Sequence, residues 1–406
     1  MKPRSPLLPI FLIVLIDVFG FTMVMPLLAF YAEQFGASAL TATLIVSTYA
    51  ACSLVSSPIL GRLSDRYGRR RLLLLSQAGT CVGFLVLGYA NALWMVFLGR
   101  ILDGVTAGNL TLAQAYVSDH SAPEQRTKAF GIIGIAFGVG FMFGPFVSGE
   151  LANYGHEVPF LVAAGLSLLS VICTYVFLEK GPPPTDAATD ADAGPGGRRP
   201  SVFDWRVYAE YFRRPGLGGV LLQFFLFVFA FGCFTSNFAL FAERRFTTAD
   251  GMPWGADEVG RVFAYSGFLG ILLQGGLLGR LVKRFGEVKL ILAAFLAAAA
   301  GYLILGWSYG LLGLLLAATV LSFGNGVLRP ALTARITQIV GRQEQGTAIG
   351  ISQSLNSIAL ILAPPAGGLL INSNNLLGWA ILIALVSGLG LVVALRGRGA
   401  TVAPPP

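Results

Sequence analysis

The sequence is short of charge, histidine and cysteine. Charged residues make up 12 % of its 406 residues, about half the roughly 25 % usual in soluble domains. The two histidines, His120 and His156, stand too far apart in the chain to form a metal centre. The four cysteines, Cys52, Cys81, Cys173 and Cys233, lie inside apolar stretches without C-x-x-C spacing. That excludes a thiol-redox or zinc motif and leaves them as small packing residues. A G-x-x-x-x-G-K-[ST] phosphate loop is missing too, so a nucleotide is not the expected energy source. No nucleophile–base set or metal cluster stands out either, which leaves enzymatic chemistry without a candidate. A cleavable leader is not expected: the first apolar stretch, Leu7 to about Tyr31, is long enough to span a membrane and contains Asp17.

What is abundant is hydrocarbon. Apolar residues reach 55 % and the mean hydropathy is +0.72, more than an ordinary core can hide, so lipid must be the solvent. A spanning helix needs about 20 apolar residues. Twelve such runs are predicted, at 7–31, 40–60, 72–90, 93–117, 128–152, 158–178, 217–242, 257–280, 288–307, 310–336, 346–371 and 376–395. An even number puts both termini on one side. The net charge of +8 would suggest nucleic acid only as a patch on a soluble domain. Here all but five of the 28 basic residues fall in segments on the side of the N-terminus, the exceptions being Arg100, Arg244, Arg245, Arg261 and Arg329. By the positive-inside rule that side is cytoplasmic. The expectation is a multi-pass protein of the cytoplasmic (inner) membrane, monomeric, in contact with the lipid bilayer, with no nucleic-acid partner.

The runs divide into two sets of six. Residues 1–180 form an N-terminal six-helix bundle, 217–396 a C-terminal one, and 397–406 a cytoplasmic tail. Between them, 181–216 is a cytoplasmic linker. Its Pro-, Gly- and Ala-rich part, 181–200, should be disordered, and the aromatic and basic stretch 202–214 reads as a short interfacial helix. The halves echo each other. Gly61-Arg62-Leu63-Ser64-Asp65-Arg66-Tyr67-Gly68 recurs as Gly279-Arg280-Leu281-Val282-Lys283-Arg284-Phe285-Gly286. Glu124-Gln125-Arg126-Thr127 finds a weaker echo in Glu344-Gln345-Gly346-Thr347. The proline turns at 144–149 and 363–368 match as well, all three at offsets of 218 to 220. Parallel repeats of this kind are one plan of membrane transporters, whose substrate sites lie at the repeat interface near the bilayer midplane.

The run from Gly61 to Arg70 resembles the helix 2–3 loop of the major facilitator superfamily, G-x-x-x-D-R-x-G-R-R, in which Gly61, Asp65, Arg66, Gly68, Arg69 and Arg70 match. The resemblance covers nearly the whole chain. It implies an all-α integral membrane fold of twelve transmembrane helices in two pseudo-symmetric six-helix bundles. It also implies a gate. Asp65 would dock near the N-terminus of the eleventh helix, where a carboxylate is favoured, and Arg69 would pair with Asp119. Asp65 with Arg69, and Arg66 with Arg70, are each four apart, so a helical turn would bring them together. A plain positive-inside anchor accounts for some of these arginines. Lys283 in the second copy leaves any lock one-sided. On the fifth run, Gly140, Gly144, Pro145 and Gly149 resemble the antiporter motif G-x-x-x-G-P-x-x-G-G, with Ser148 in place of one glycine. Close helix packing is the equal alternative.

Ionisable residues inside spans are costly unless paired or wet. Asp17 lies ten residues into the first run, or about 15 Å deep. Its setting, Leu15-Ile16-Asp17-Val18-Phe19-Gly20 with Pro26 beyond, resembles the drug-efflux branch that includes tetracycline exporters. A carboxylate there suits a proton carrier, or a structural group bonded to neighbours. Arg100 and Asp103 share a helix face at a spacing of three and can neutralise each other. Arg100-x-x-x-Gly104 resembles a helix-4 motif tied to proton coupling, and a structural bridge is the alternative. Arg329, beside Pro330, either snorkels to the cytoplasmic interface or holds an anion. Gln114, Gln223, Asn237, Gln274, Asn325, Gln353 and Asn356 are further polar candidates for a cavity. Against tetracycline exporters, positions that carry aspartate, histidine and aspartate there become Gly83, Gly270 and an alanine within 297–300, so tetracycline is not an expected substrate.

The resemblance implies a proton-coupled antiporter that exports a small amphipathic compound by alternating access, driven by the proton gradient without a cofactor. Asp17, Arg100 and Asp103 are the proton-coupling candidates, and Asp17 also faces the substrate cavity. An organic-anion transporter of the same fold, using Arg329 with Arg100, is the alternative. A membrane scaffold that transports nothing is the remaining class.

Overall fold

The structure, a computed structural model, describes residues 7–120, 123–178, 205–340 and 344–397, leaving out the side chains of 7–8, 118–135, 137, 205, 207 and 346. The expected disordered linker at 181–200 and the tail beyond Gly397 lie outside the described residues. The described chain is almost wholly helical and divides into two compact units.

The first unit holds α1 (Leu7–Gln34), α2 (Ala39–Tyr67), α3 (Arg69–Gly88), α4 (Leu93–Val105), α5 (Asn109–His120), α6 (Pro123–Ala152) and α7 (Val158–Phe177). It also takes in Trp254–Gly267, which includes the start of α10 (Ala256–Leu272). Ser38 opens α2 by accepting a hydrogen bond from the Thr41 amide at 3.2 Å, a side-chain cap for a donor the helix cannot use itself. α1 packs against α6 and α7, α3 against α4 and α7, and α2 against α4.

The second unit holds α8 (Trp205–Arg213), α9 (Leu217–Arg245) and the end of α10, which passes through a π-helical turn at Leu273–Leu277 into α11 (Leu278–Phe285). α12 (Glu287–Trp307), α13 (Leu311–Ile339), α14 (Gln345–Asn372) and α15 (Leu376–Arg396) follow. α9 packs against α14 and α15, and α12 against α13 and α15. This is the packing plan of the first unit again: α9 stands for α1, α12 for α3. The core centres on the fully buried Trp379, whose ring lies 4.8 Å from that of Phe241. Between α8 and α9, Arg214 grips Glu344 with both Nη atoms, at 2.7 and 3.0 Å, and reaches Glu210 at 2.8 Å. Its hydrogen bonds to Glu344 and Glu210 hold the guanidinium above the usual arginine pKa.

The repeat is sharpest at its turns. Gly68 joins α2 to α3 with φ +93°, and Gly286 joins α11 to α12 with φ +78°. These positions are 218 apart, and each needs a backbone that residues with a Cβ enter only under strain. The charged run before Gly68 is itself helical, so α2 extends to Tyr67 rather than stopping at residue 60.

One expected span is broken. Residues 93–117 read as a single apolar run, but α4 ends at Val105 and α5 begins at Asn109. Irregular backbone survives at membrane depth only where other groups satisfy it, and here they do. The Ser56 hydroxyl donates to the Gly104 carbonyl at 2.6 Å, and Ser57 to that of Ala107 at 2.6 Å. Ser76 accepts from the Gly108 amide at 2.9 Å and donates to the Thr106 carbonyl. Thr106 returns its own hydroxyl to Leu102 at 2.8 Å. Among the described residues ten helices are long and apolar enough to cross a membrane. The two halves of the broken span, 13 and 12 residues long, are each too short to add to that number.

Candidate functional site

Three helices of the first unit converge on Asp17. Its Oδ2 accepts a hydrogen bond from Gln77 Nε2 of α3 at 3.3 Å. The same amide donates to Ser170 Oγ of α7 at 2.7 Å, and Ser170 bonds Asp17 in turn. Ser167 fixes the backbone of Gln77 at 3.0 Å. Asp17 Oδ1 is buried without a hydrogen-bond partner, and no basic side chain pairs with the carboxylate among the described residues. A proton on Oδ1 would remove the charge while leaving the Gln77 contact at Oδ2 in place. Gln77 and Ser170 escaped the sequence reading. Their signal was a wholly buried glutamine and serine in hydrocarbon runs, and polar groups in such runs must be satisfied by something.

Next to this group Arg100 lies fully buried. Its Nη1 meets Asp103 Oδ2 at 2.8 Å, one helical turn away as the spacing predicted. Its guanidinium sits 4.2 Å from the Tyr49 ring centroid, and Thr80 supplies Asp103 with another hydrogen bond. Nε and Nη2 of Arg100 have no partner among the described residues. Tight packing locks the pair in place. A Cβ on Gly104 would lie 2.9 Å from the Tyr49 carbonyl, and one on Gly83 would lie 2.9 Å from the Gly99 carbonyl and 3.0 Å from Asp103 Cβ. A larger side chain at Gly83 therefore has no room. A Cβ at Gly270, by contrast, would meet open space.

The glycine face of α6 presses on α1 one turn beyond Asp17. A Cβ on Gly140 would come 2.7 Å from Val18, and one on Gly144 would overlap Thr22. The Thr22 hydroxyl donates to the Gly140 carbonyl at 2.8 Å. Gly149 faces the Ala256 carbonyl, 2.7 Å from an added Cβ. Ser148 is buried, its hydroxyl unpartnered. Pro145 lies inside α6, and its carbonyl stands 2.5 Å from a Cβ on Gly260.

In the charged turn Arg69 reaches back across Gly68 to Asp65 at 2.5 Å, and also donates to Ser64 Oγ and the Gly61 carbonyl. The side chain of Asp119, its expected partner, lies outside the described residues. Arg66 and Arg70 part company. Arg70 donates to the Tyr175 carbonyl at 2.5 Å and stacks on that ring, while Arg66 lies over Tyr67. Two like charges four apart gain nothing by meeting, and the carbonyls at the C-terminus of α7 offer Arg70 a better partner.

The second unit sorts the remaining polar candidates. Asn237 is fully buried and spends its amide on the Cys233 and Pro364 carbonyls, at 2.9 and 3.2 Å. It holds α9 to α14 and has no surface for a substrate. Gln223 is buried as well. Gln274 and Gln353 are exposed, and Gln114, Asn325 and Asn356 partly so. Gln274 occupies the π turn and donates to the Gly326 carbonyl at 3.5 Å, while Asn325 lies 3.4 Å from the Tyr302 hydroxyl. Arg329 is exposed, and its guanidinium rests 5.8 and 6.0 Å from the Phe227 and Phe231 rings of α9.

Known proteins resemble this chain over most of its length. The model of the Major Facilitator Superfamily matches residues 10–276 and 253–406. Tetracycline resistance protein, class H, of Pasteurella multocida is 28 % identical over 358 residues, 87 % of this chain and 86 % of that one. Multidrug resistance protein 2 of Bacillus subtilis (strain 168) is 26 % identical over 399 residues, 96 % of each chain. The crystal structure of a human organic anion transporter aligns with a TM-score of 0.67 at 22 % identity, covering 97 % of this chain and all of that one. At that identity the likeness is one of fold alone.

Proposed function

The chain belongs to the Major Facilitator Superfamily, and from that premise we propose that it exports a small amphipathic compound in exchange for protons, by alternating access across the cytoplasmic membrane. Its curated relatives make it a multi-pass transporter of the drug-efflux type rather than an enzyme. The observation that carries the finer reading is Asp17: a mid-span carboxylate, bonded on one oxygen only, with no cation paired to it among the described residues. Such a group is costly as an anion in hydrocarbon and is relieved by a proton. Protonation would favour one orientation of the bundle and release the other. A bound compound and a bound proton would then exclude each other, and that exclusion is the coupling.

The rest of the apparatus has assigned parts in this reading. Arg100 and Asp103 form a neutral pair next to Asp17 and tune its surroundings. Gly140, Gly144, Pro145 and Gly149 let α6 and its neighbours approach closely enough to exclude a proton leak. Gly61, Asp65, Arg66, Gly68, Arg69 and Arg70, with Asp119, form the cytoplasmic gate. The protein works as a monomer with both termini in the cytoplasm, with the proton gradient as its energy source and no cofactor. The experiment that tests this reading adds fluorescent amphipathic compounds, cationic, neutral and anionic, to the outside of inside-out membrane vesicles. Respiration should drive uptake, and a protonophore should abolish it. Uptake indifferent to the protonophore would overturn proton coupling.

A further inference from the structure

We propose that Arg329 anchors an anion subsite in the second unit, one that takes the carboxylate or sulfonate of an amphipathic aromatic compound. The inference rests on the reading of the chain as an exporter of amphipathic compounds and names a substrate class for it.

The position of the guanidinium carries the argument. A snorkelling arginine runs along its own helix toward the interface. Arg329 instead turns onto α9, over Phe227 and Phe231. Those rings lie ten and fourteen residues into a helix of 29 residues, about 15 and 21 Å from its start, so the charge sits at mid-span. It has no ion pair and its guanidinium no hydrogen bond among the described residues. Two phenylalanine faces offer weak cation–π attraction, too little to replace the hydration of a cation. It remains exposed, and an exposed charge at that depth faces water rather than lipid.

Its surroundings match an aromatic anion. The half-buried Phe231 extends the site with an apolar wall, and the buried Phe227 backs it, the two rings stacked with centroids 6.0 Å apart. Asn325 lies one helical turn before Arg329 on the same face of α13, beside the Tyr302 hydroxyl. The π turn of α10 brings the exposed Gln274 against Gly326, whose missing side chain permits the approach: a Cβ there would come 2.9 Å from Leu273. π turns are often found at functional sites. A forked cation, two amides and an aromatic wall are the elements that bind a flat organic acid.

Scintillation-proximity binding on the full chain in lipid nanodiscs tests this, with tritiated naphthylacetate as probe and its primary amide and naphthylethylamine as competitors. The acid should compete at least about tenfold better than the amide, the discrimination expected of a charge-assisted pair. Arg329→Gln should erase that preference, and Arg329→Lys, which keeps the charge but loses the fork, should retain part of it. The acid-against-amide comparison needs no variant, so a poorly folding Arg329→Gln leaves the test intact. Equal competition by acid and amide, or a preference for the amine, overturns the proposal. If the amine then exchanges for protons, antiport stands while the anion subsite falls. If the acid binds through Arg329 but no compound moves protons, the subsite stands and antiport falls.

Discussion

Two arginines lie deep in this molecule, Arg100 in the first unit and Arg329 in the second, and they are treated in opposite ways. Arg100 is sealed from solvent, its charge met by Asp103 on the same helix and its flat face by Tyr49. Arg329 is exposed, flanked by two phenylalanines, with no carboxylate paired to it among the described residues. A neutralised arginine cannot attract a substrate anion, so the organic-anion reading that used both arginines keeps only the second. In the proposed function this contrast divides labour between the units: the first would manage a proton on Asp17, and the second would present a cation to cargo.

The largest effect should come from breaking the neutral pair. Asp103→Asn leaves Arg100 buried and uncompensated, and removing one partner of such a pair costs about 3–5 kcal/mol. Thermal unfolding in nanodiscs should show a drop of several degrees. Replacing both residues together with leucine should recover most of it, since apolar residues of similar volume often match a buried pair. Recovery of fold without transport would assign the pair to coupling, and recovery of both would leave it a structural bridge.

Gly144→Ala comes next, because the new methyl group overlaps Thr22. Overpacking of this kind costs about 1–3 kcal/mol, and melting measured beside Gly270→Ala, which meets open space, isolates the clash. Arg329→Gln is expected to move the melting temperature little or upward, since it removes a charge with no ion pair among the described residues, and a large loss of stability would mean that Arg329 is structural.

The smallest effect on stability belongs to the turns that mark the repeat. Asp65 and Arg69 are paired in the first copy, while the positions 218 residues on carry the reverse charges, Lys283 and Glu287. There Glu287 accepts instead from Gln338 at 3.0 Å. Asp65→Asn should cost about 1 kcal/mol or less yet slow transport, and Lys283→Gln should change neither. Equal transport by wild type and Asp65→Asn in a correctly inserted protein would remove the gate from the account.

The contrast between the two arginines was only half visible in the sequence. Lipid forces every backbone polar group to be satisfied locally, so apolar runs read directly as helices, and the echo of Gly61–Gly68 in Gly279–Gly286 announced the repeat. The break after Val105 could not be read, because Ser56, Ser57 and Ser76, which satisfy it, arrive from other helices. The π turn at Leu273–Leu277 escaped for a similar reason: the space it fills is opened by Gly326, far along the chain. Asp17 stood out as a carboxylate in hydrocarbon, but Gln77 and Ser170 became its partners only once α1, α3 and α7 were packed. Asn237 shows the converse. A polar residue in a span must be satisfied, and local sequence does not say whether a substrate or the Pro364 carbonyl will do it.

The central claim is that Asp17 carries the exchanged proton, and proteoliposomes with an acidic interior and an entrapped pH dye test it most directly. Cationic, neutral and anionic amphipathic compounds are added outside, with Asp17→Asn beside the wild type. At least one compound is expected to collapse the gradient through wild type and none to do so through Asp17→Asn. A compound that drives equal proton flux through both would contradict the claim.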